Sequence, residues 1–502
     1  MRSALALSVC LPLALCSAAT LPASTNAIPT LAALRSNLTA RVEHPRLAAA
    51  QLGVKIVSLD TGKTLFEHNA GKLLKPASNA KLYTGALALD RLGPQFRIRT
   101  SCYAAAKPDA DGALVGDLTI FGRGDFSMAA RFNGGDYAKA LEPLVNALAA
   151  AGIKRVTGDL IGDESFFRGP PYGSTWTWDD LNYYYGAEVS ALTHEDNVVD
   201  LVFKPAALGQ PVTFTTKPAT QFLQFLNRTT PVTNGGKRNI ELYRPLAQSV
   251  VYVHGSLPLG DRDWTDAMPV PRPALWFVTQ LRDALAKRGI TVVGQLRTRD
   301  WLAAEAVPTD FGKQLEIAFT ESRPMAELVE KMMKPSQNLY AQLLLLQVGA
   351  RTHRPGQTTE AASLAEMSKF LAEAGVKRGA VLLEDGSGLS RGCLLMPDAT
   401  VHLLRHMDRH PAAAAYRAAL PIAGVDGTLK ARFHGTAAER NLLAKTGSLS
   451  HVSSLSGHVT TAAQERLVFS FMLNAYAGTT ASGRAVIDEL AVLLANFTGR
   501  SE

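Results

Sequence analysis

The feature that most constrains this fold is the spacing of three short motifs rich in serine, lysine and asparagine. Ser78-Asn79-Ala80-Lys81 stands near the start, Ser336-Gln337-Asn338 follows roughly 260 residues later, beyond the reach of any loop in a compact domain, and Lys445-Thr446-Gly447 stands near the end. Together they supply a hydroxyl nucleophile, amines and polar supporting groups, and such chemistry requires all of them in one cleft. Both chain ends must therefore meet, and the long interval must hold inserted domains.

Ser78 and Lys81 are spaced so that they can act together. Three residues apart on a helix, they share one face and lie within mutual reach. Pro76 is tolerated in a first helical turn and Gly93 can end a helix, so the pattern predicts a helix with Ser78 at its N-terminus. The helix dipole there favours the negative charge that develops when a serine attacks a carbonyl. We therefore predict Ser78 as nucleophile and Lys81 as its base.

Lys81 can serve as a base only if its ammonium form is destabilised. Burial and a second cation such as Lys445 would both lower its pKa. Lys445 has a second predicted task, which is to attract the carboxylate of a peptide substrate, with the Thr446 hydroxyl as a donor to the same group. The third motif is therefore predicted to serve both the base and the substrate.

A strand and a turn complete the predicted site. Residues 441–448 are typical of a strand, so the backbone N–H of Ser448 is predicted to join that of Ser78 in an oxyanion hole. Ser336 and Asn338 follow a predicted helix, and a turn there would aim both side chains at the amine of the first motif and at the nitrogen of the leaving group.

Each motif taken singly also has an ordinary structural interpretation. The first could be a helix start with a solvated lysine, the second a helix-capping turn, and the third a strand end. Their joint presence on a helix, a turn and a strand is what favours a serine acyl-transfer site.

Composition indicates a large globular protein. The chain has 502 residues, of which 47% are apolar and 19% charged, and this length predicts roughly three domains. The net charge is +8, but no lysine- or arginine-rich block and no alternation of basic with aromatic residues is present. Nucleic acid is therefore disfavoured as a partner, whereas a polyanionic wall polymer or a membrane surface would suit the diffuse positive charge.

The N-terminus has the pattern of a cleaved export signal. Residues 1–19 combine an early arginine, an apolar run and small residues at the end. We therefore expect a periplasmic protein, free or loosely associated with membrane or cell wall, with no transmembrane segment after cleavage. Cys102 and Cys393 then remain, and both a disulfide and two separate thiols are compatible with export.

Local patterns outline the rest of the chain. Residues 53–58 and 64–68 predict a hairpin before the Ser78 helix, and the last 60 or so residues predict three strands and a closing helix. Two similar helix-glycine-strand units, around 144–153 and 281–290, are compatible with one shared α/β subdomain. The stretch between them, roughly 191–268, has a β composition and is predicted to be an insertion within the insertion.

Further stretches resemble a known family. With the motifs in this order, the chain resembles the class C low-molecular-mass penicillin-binding proteins, the D-alanyl-D-alanine carboxypeptidase/endopeptidase family. The additional stretches that carry the resemblance are residues 158–163, 176–180, 185–192, 385–391 and 424–428.

The resemblance implies an α/β (α+β) fold with a penicillin-binding serine transferase domain made of an antiparallel sheet with helices. That domain would be built from both chain ends and interrupted by two nested domains. The implied boundaries are 28–98 and 308–500 for the catalytic domain, 99–172 and 270–307 for an α/β domain II, and 173–269 for a mostly β domain III.

The resemblance also implies a reaction and its residues. Members cleave D-alanyl-D-alanine ends of peptidoglycan stem peptides, or D,D-crosslinks, through an acyl-enzyme, and β-lactams acylate them covalently. No metal or other cofactor is implied. Ser78, Lys81, Ser336, Asn338 and Lys445 take the catalytic positions, and the implied substrate-binding residues are Thr446, Gly447, Ser448 and Leu449, with Asp163 and Arg391 at the charged end of a diaminopimelate side chain.

Two other functions stay open at this level. A serine β-lactamase would need a positioned water for fast deacylation, and no dedicated glutamate base is evident. A non-catalytic muropeptide-binding protein would keep the pocket without turnover. The sequence leaves the oligomeric state undetermined.

Overall fold

The computed structural model describes residues 27–502, so the predicted export signal lies outside the described residues. Helices and mostly antiparallel sheets alternate along this range, in agreement with the predicted fold class. Within it, no helix is long and apolar enough to cross a membrane. The helices are α1 (Leu31–Val42), α2 (Ala80–Leu92), α3 (Glu142–Ala150), α4 (Pro273–Lys287), α5 (Trp301–Ala306), α6 (Met325–Met333), α7 (Asn338–Gly349), α8 (Thr359–Glu373), α9 (Pro397–Asp408), α10 (Ala413–Ala418) and α11 (Thr480–Ala495).

The strands group into sheets that follow the chain in a nested order. The strands are β1 (Gln51–Ser58), β2 (Thr64–His68), β3 (Arg99–Ala104), β4 (Ala113–Leu114), β5 (Leu118–Phe121), β6 (Arg155–Val156), β7 (Leu160–Asp163), β8 (Val198–Lys204), β9 (Thr213–Lys217), β10 (Gln224–Val232), β11 (Glu241–Tyr243), β12 (Val250–Pro258), β13 (Trp264–Pro269), β14 (Thr291–Val292), β15 (Leu296–Arg299), β16 (Leu315–Glu321), β17 (Val381–Leu382), β18 (Leu394–Leu395), β19 (Leu443–Leu449), β20 (Val452–Thr460) and β21 (Arg466–Asn474).

Both ends of the chain form one antiparallel sheet. Its strand order is β19-β20-β21-β1-β2, and Gln51 of β1 lies opposite Asn474 of β21. The predicted N-terminal hairpin and C-terminal three-strand meander are both confirmed. α1 and α11 cover one face with an apolar core, and a larger core containing α2, α6, α7 and α9 lies on the other face. The sheet thus presents β19 as an edge strand beside the helical layer.

α2 is the central helix of that layer. All residues from Ala80 to Leu89 are buried, which is typical of a helix that packs on several sides rather than on one. Gly93 ends it with φ 82°, a conformation that glycine adopts at no steric cost, and this stop was predicted. The first motif is therefore anchored in the densest part of the molecule.

The second region is a mixed sheet with the order β15-β7-β5-β3-β16, backed by α3 and α4. The two similar units lie side by side here, since β14 pairs in parallel with β6 and β15 with β7, so the expectation of a shared α/β subdomain is confirmed. β16 falls within the range predicted for the catalytic domain, but it pairs with β3 instead. The structure therefore places the return to the first region after Glu321 and not at residue 308, because strand pairing across the interval decides membership.

The third region consists of two three-stranded sheets, β10-β12-β11 and β13-β8-β9, around their own apolar core. Trp276 of α4 is buried in this core, so α4 links the second and third regions. Cys102 is buried in the second region and Cys393 beside the helical layer, and both are free thiols. We retain the nested three-domain division as a proposal, with the shifted boundary.

Candidate active site

Ser78 lies in a tight turn immediately before α2. The turn is a single 3₁₀ turn over Ala77–Asn79 that leads directly into α2, so Ser78 lies at the N-terminus of the helix as predicted. Ala77 has φ 47°, an unfavourable conformation for a residue with a side chain. A Cβ at Gly388 would lie 1.9 Å from the Ala77 carbonyl oxygen, so only glycine permits this close approach. The turn is thus held in a strained shape by its neighbours.

The Lys81 amine is fixed by three hydrogen bonds. Its Nζ donates to Ser78 Oγ at 2.9 Å, to Asn338 Oδ1 at 2.6 Å and to the carbonyl oxygen of Ser387 at 2.8 Å. The side chain is fully buried. The predicted contact between the first motif and Asn338 is therefore present, and the amine is held at the serine hydroxyl.

Burial lowers the pKa of Lys81 to about 7, against the opposing influence of the buried Asp385 carboxylate. A normal lysine is almost wholly protonated at neutral pH, whereas this one carries a large neutral fraction. A neutral amine at 2.9 Å from a hydroxyl can accept its proton.

Lys445 is a second fully buried amine. Its Nζ donates to Ser336 Oγ at 2.8 Å and to the Thr446 carbonyl oxygen at 2.9 Å. Burial, and then the charge of Lys81, hold the pKa of Lys445 well below its ordinary value. The sequence argument named burial and a neighbouring cation as causes of a lowered lysine pKa, and burial is the largest cause for both buried amines.

The second motif therefore serves two amines. The prediction that Ser336 and Asn338 both face Lys81 is correct for Asn338 and wrong for Ser336, which contacts Lys445. Ser336 has φ 64°, in the left-handed region, in the turn immediately before α7. Asn338 is further oriented by its Nδ2, which donates to the Tyr185 carbonyl oxygen at 3.0 Å.

β19 approaches the Ser78 turn more closely than a side chain would allow. A Cβ at Gly447 would lie 2.4 Å from the Pro76 carbonyl oxygen and 3.0 Å from the Ser78 nitrogen. Asn79 Nδ2 donates to the Lys445 carbonyl oxygen at 3.0 Å and ties the strand to the turn. Gly447 is thus the residue that lets the third motif reach the first.

The exposed edge of β19 directs backbone groups at the cleft. The Ala444 N–H donates to the Pro421 carbonyl oxygen at 3.0 Å, on the side away from β20. Backbone polar groups of an antiparallel strand alternate between its two edges, so the N–H of Ser448, four residues later, points away from β20 as well. This N–H is positioned as one half of the predicted oxyanion hole.

A cleft of about 470 Å³ opens at this junction. Lys81, Lys445 and Gly447 lie behind its wall, and their neighbours form it. The predicted residues that line the cleft are Ser78, Ser336, Asn338, Thr446, Ser448, Leu449 and Arg391.

Arg391 occupies one end of the cleft in a two-point ion pair with Asp180. Arg391 Nη2 donates to Asp180 Oδ1 at 3.1 Å and Nη1 donates to the other oxygen. The Asp180 side chain is 2% exposed and that of Arg391 is 35% exposed, so the guanidinium remains open to the cleft. Asp180 lies in the 176–180 stretch noted in the sequence, but no role was assigned to it there.

Asp163 does not lie in this cleft, which corrects its predicted position beside the substrate. It ends β7 in the second region, where its carboxylate accepts from Arg299 of the adjacent β15 at 3.0 Å and from the Ser165 N–H at 2.9 Å. Asp163 lies in a stretch that resembles the family. The sequence offers no sign that the strand it ends belongs to the sheet of the second region.

Asp385 is a residue that sequence reasoning missed. It is fully buried and accepts from Ser387 Oγ at 2.5 Å, from the Gly388 N–H at 2.8 Å and from Trp176 Nε1 at 2.8 Å. These bonds shape the loop whose Ser387 carbonyl receives the Lys81 amine. Arg432 and Arg484, which also line the cleft, stand in no recognisable motif.

No group of three or more His, Cys, Asp or Glu side chains in residues 27–502 is arranged to hold a metal ion. The chemistry available in the described site is a serine hydroxyl, two buried amines and backbone donors. This set is suited to nucleophilic attack on a carbonyl with proton transfer to an amine.

Comparison with known proteins identifies the family. The model of the D-Ala-D-Ala carboxypeptidase 3 (S13) family matches residues 34–497. A D-alanyl-D-alanine carboxypeptidase of Actinomadura sp. (strain R39) is 34% identical over 480 residues, which cover 93% of this chain and 86% of that protein.

Solved structures show the same fold. A crystal structure of penicillin binding protein 4 (dacB) from Haemophilus influenzae has a TM-score of 0.75 at 24% identity and covers 92% of this chain and 98% of its own. A second structure of that protein, complexed with a β-lactam, has a TM-score of 0.70 at 23% identity with the same coverage. The family match spans nearly all of the described chain, and with the 34% identical relative it shows that the chain belongs to the D-Ala-D-Ala carboxypeptidase 3 (S13) family.

Proposed function

We propose that Ser78 is the nucleophile of a serine D-alanyl-D-alanine carboxypeptidase and D,D-endopeptidase that acts on peptidoglycan stem peptides and crosslinks. One observation carries the residue assignment. The Lys81 Nζ lies 2.9 Å from Ser78 Oγ and its pKa is lowered to about 7, so its neutral form is a base in contact with the nucleophile.

In the proposed acylation, neutral Lys81 takes the Ser78 proton as Oγ bonds to the carbonyl carbon of the penultimate D-alanine. The N–H groups of Ser78 and Ser448 stabilise the oxyanion. The C–N bond then breaks and the departing nitrogen receives the proton that Lys81 removed from Ser78, passed on by the Ser336 hydroxyl on the cleft wall, which is hydrogen-bonded to Lys445. Lys81 is thereby neutral again. The products are an ester on Ser78 and a free amine.

In the proposed deacylation, a water molecule loses its proton to Lys81 and attacks the ester carbonyl. The same two N–H groups stabilise the second oxyanion, and Ser78 Oγ leaves with the proton returned by Lys81. Asn338, bonded to Lys81 at 2.6 Å, keeps the amine in place through both steps.

Substrate recognition is divided between the two ends of the cleft. Thr446 and Ser448 are proposed to receive the carboxylate of the departing residue, while Leu449 contacts the side chain of the third stem residue. Where that residue is diaminopimelate, its side chain ends in an ammonium and a carboxylate. The Asp180–Arg391 pair offers the complementary charges, with the guanidinium open to the cleft.

The first test is Ser78→Ala. We expect it to abolish both release of D-alanine from a pentapeptide and covalent labelling by a fluorescent penicillin, because each needs the same Oγ. Ser368→Ala, an exposed serine on α8, is a matched control and should retain both activities. Continued labelling of the Ser78→Ala protein would refute the assignment.

Two measurements refine the reaction type. Mass spectrometry of crosslinked and uncrosslinked muropeptides after digestion reports the balance of endopeptidase and carboxypeptidase action. Rapid hydrolysis of a β-lactam would instead indicate a β-lactamase, and reversible muropeptide binding without turnover would indicate a binding protein.

The location of the protein is also part of the proposal. The basic and apolar pattern of residues 1–19, together with a relative named D-alanyl-D-alanine carboxypeptidase, supports export to the periplasm. Fractionation of cells, followed by N-terminal sequencing of the mature chain, tests both the location and the cleavage.

A further inference from the structure

The cleft that contains Arg391 carries further positive charge. Arg432 and Arg484 both line it, and Asp488 lies on α11 four residues after Arg484, on the same helix face. Asp488 is engaged by Arg432, whose Nε donates to Oδ2 at 3.2 Å and whose Nη2 donates to Oδ1. Two guanidinium groups therefore share one carboxylate.

Arg484 is the one of the two that remains available. It is exposed, and within residues 27–502 no carboxylate oxygen lies within 4.0 Å of its guanidinium nitrogens. The Arg432 side chain is only 11% exposed and is held by its two-point pair. An exposed arginine on the wall of a polar cleft is a ready receptor for an anionic group, because its planar fork matches a carboxylate.

The strand geometry places Arg484 beside the hydroxyls of the third motif. Thr446 lies opposite Leu455, whose side chain is buried in the core that α11 shares. Directly opposed residues point to the same face of a sheet, and alternate residues of a strand share a face. The Thr446 and Ser448 side chains therefore face the side on which α11 packs.

A second contact chain supports this placement. Gly483, the residue before Arg484, packs so closely on Tyr476 that an added Cβ would lie 2.2 Å from its ring. The Tyr476 hydroxyl is 3.0 Å from Ser453 Oγ, and Ser453 lies directly opposite Ser448. The start of α11 is thereby tied to the strand pair that carries Ser448.

Lys445 is poorly suited to supply the charge for a substrate carboxylate. Its ammonium is fully buried, is bonded to Ser336 Oγ and the Thr446 carbonyl, and has its charged form disfavoured by burial and by Lys81. Arg484 has none of these restrictions. Arg484, a permanent cation on α11, thus lines the same cleft as the Thr446 and Ser448 hydroxyls.

We propose that Arg484 is a specificity-determining residue that binds the free α-carboxylate of the departing residue, together with the hydroxyls of Thr446 and Ser448. The inference rests on the proposed function, since it names a residue that recognises the leaving group in that reaction. It assigns preference for a C-terminal acid over a neutral end to a residue outside the three motifs.

The test compares Arg484→Gln and Arg484→Lys with the parent protein on two peptides ending in D-alanyl-D-alanine, one with a free carboxylate and one with a carboxamide. We expect Arg484→Gln to lower kcat/KM for the acid by about 10- to 100-fold, mainly through KM, because a charge-assisted bond is lost. The amide should change less than about twofold, and Arg484→Lys should recover part of the loss.

Arg378→Gln, which removes an exposed arginine outside the cleft, is the matched control and should leave the acid-to-amide ratio unchanged. Equal losses on both peptides, or no loss on the acid, would overturn the proposal.

Binding of the same two peptides to the Ser78→Ala protein separates this idea from the proposed function. Arg484-dependent preference for the acid in binding supports the carboxylate site even if the parent turns over neither peptide. Absence of turnover by the parent would then refute the reaction and leave the binding residue standing, whereas binding without preference for the acid would overturn the Arg484 proposal.

Discussion

Two aspartate–arginine pairs, one in the inserted sheet and one in the cleft, are alike in chemistry and different in surroundings. Asp163 is 1% exposed and its partner Arg299 is 16% exposed, so both partners of this pair are largely buried. Asp180 is equally buried, but Arg391 is 35% exposed and faces the cleft. A pair with both partners largely buried mainly stabilises the fold, whereas a pair with one more exposed partner can exchange bonds with a ligand.

The same contrast extends to the amines behind the cleft. Breaking a buried ion pair leaves an unpaired charge and is costly, so folds normally close such pairs. Lys81 is fully buried yet has no carboxylate among its hydrogen-bond partners, which are a hydroxyl, an amide oxygen and a carbonyl. The Lys81 amine behind the cleft is thus not paired with a carboxylate, whereas the Arg299 guanidinium in the inserted sheet is paired with Asp163.

The largest expected effect that tests this contrast is on stability. Asp163→Asn removes the charge from the buried pair and leaves Arg299 partly buried without its partner, so we expect the free energy of unfolding to fall by about 3–5 kcal/mol. Activity per folded molecule should not change. Denaturant unfolding and kcat/KM check the two parts, with Asp111→Asn as an exposed control in the same region. A loss of activity without a loss of stability would reverse the assignment of the two pairs.

The cleft pair should respond in the opposite way. Asp180→Asn is expected to lower kcat/KM by about 10- to 100-fold for a stem peptide with diaminopimelate, because the contact with the side-chain ammonium is lost. A peptide with a neutral third residue should be hydrolysed nearly as before. The neighbouring exposed Asp179→Asn is the control. Equal losses on both peptides would mean that Asp180 stabilises the shape of the cleft and does not bind the diaminopimelate side chain.

The smallest expected effect concerns pH. Because the pKa of Lys81 is lowered to about 7, the neutral base is lost as pH falls through 7, and acylation should slow by about tenfold between pH 8 and pH 6. Above pH 8 the rate should be level. The measurement is the rate of labelling by a fluorescent penicillin at constant ionic strength. A rate that does not change from pH 6 to pH 8 would contradict a lysine base.

Sequence reasoning succeeded where the information is local. The hairpin of β1 and β2, the stop of α2 at Gly93 and the strands of the C-terminal meander follow from alternation, helical spacing and turn residues. The three motifs were recognisable because each is contiguous. Their meeting in one cleft could be expected from the chemistry alone.

It failed where contacts depend on distant pairing or on a single backbone angle. Asp163 was assigned to the substrate and Asp180 was given no role because nothing local reveals which sheet a strand joins, and β16 was misassigned for the same reason. Ser336 contacts Lys445 and has a positive φ, and a serine in this position of a sequence does not indicate that backbone conformation. Arg484 stands on a helix whose sequence gives no sign that it borders the cleft.

The pairing of β1 with β21 has a consequence for biosynthesis. A ribosome releases the Ser78 turn early, but the edge strand that completes its surroundings is made of residues 443–449, close to the far terminus. Nascent or truncated chains therefore contain the reactive hydroxyl without its partners. Hydrolytic competence therefore requires a chain that extends at least through β21, whose pairing with β1 brings the two parts of the site together.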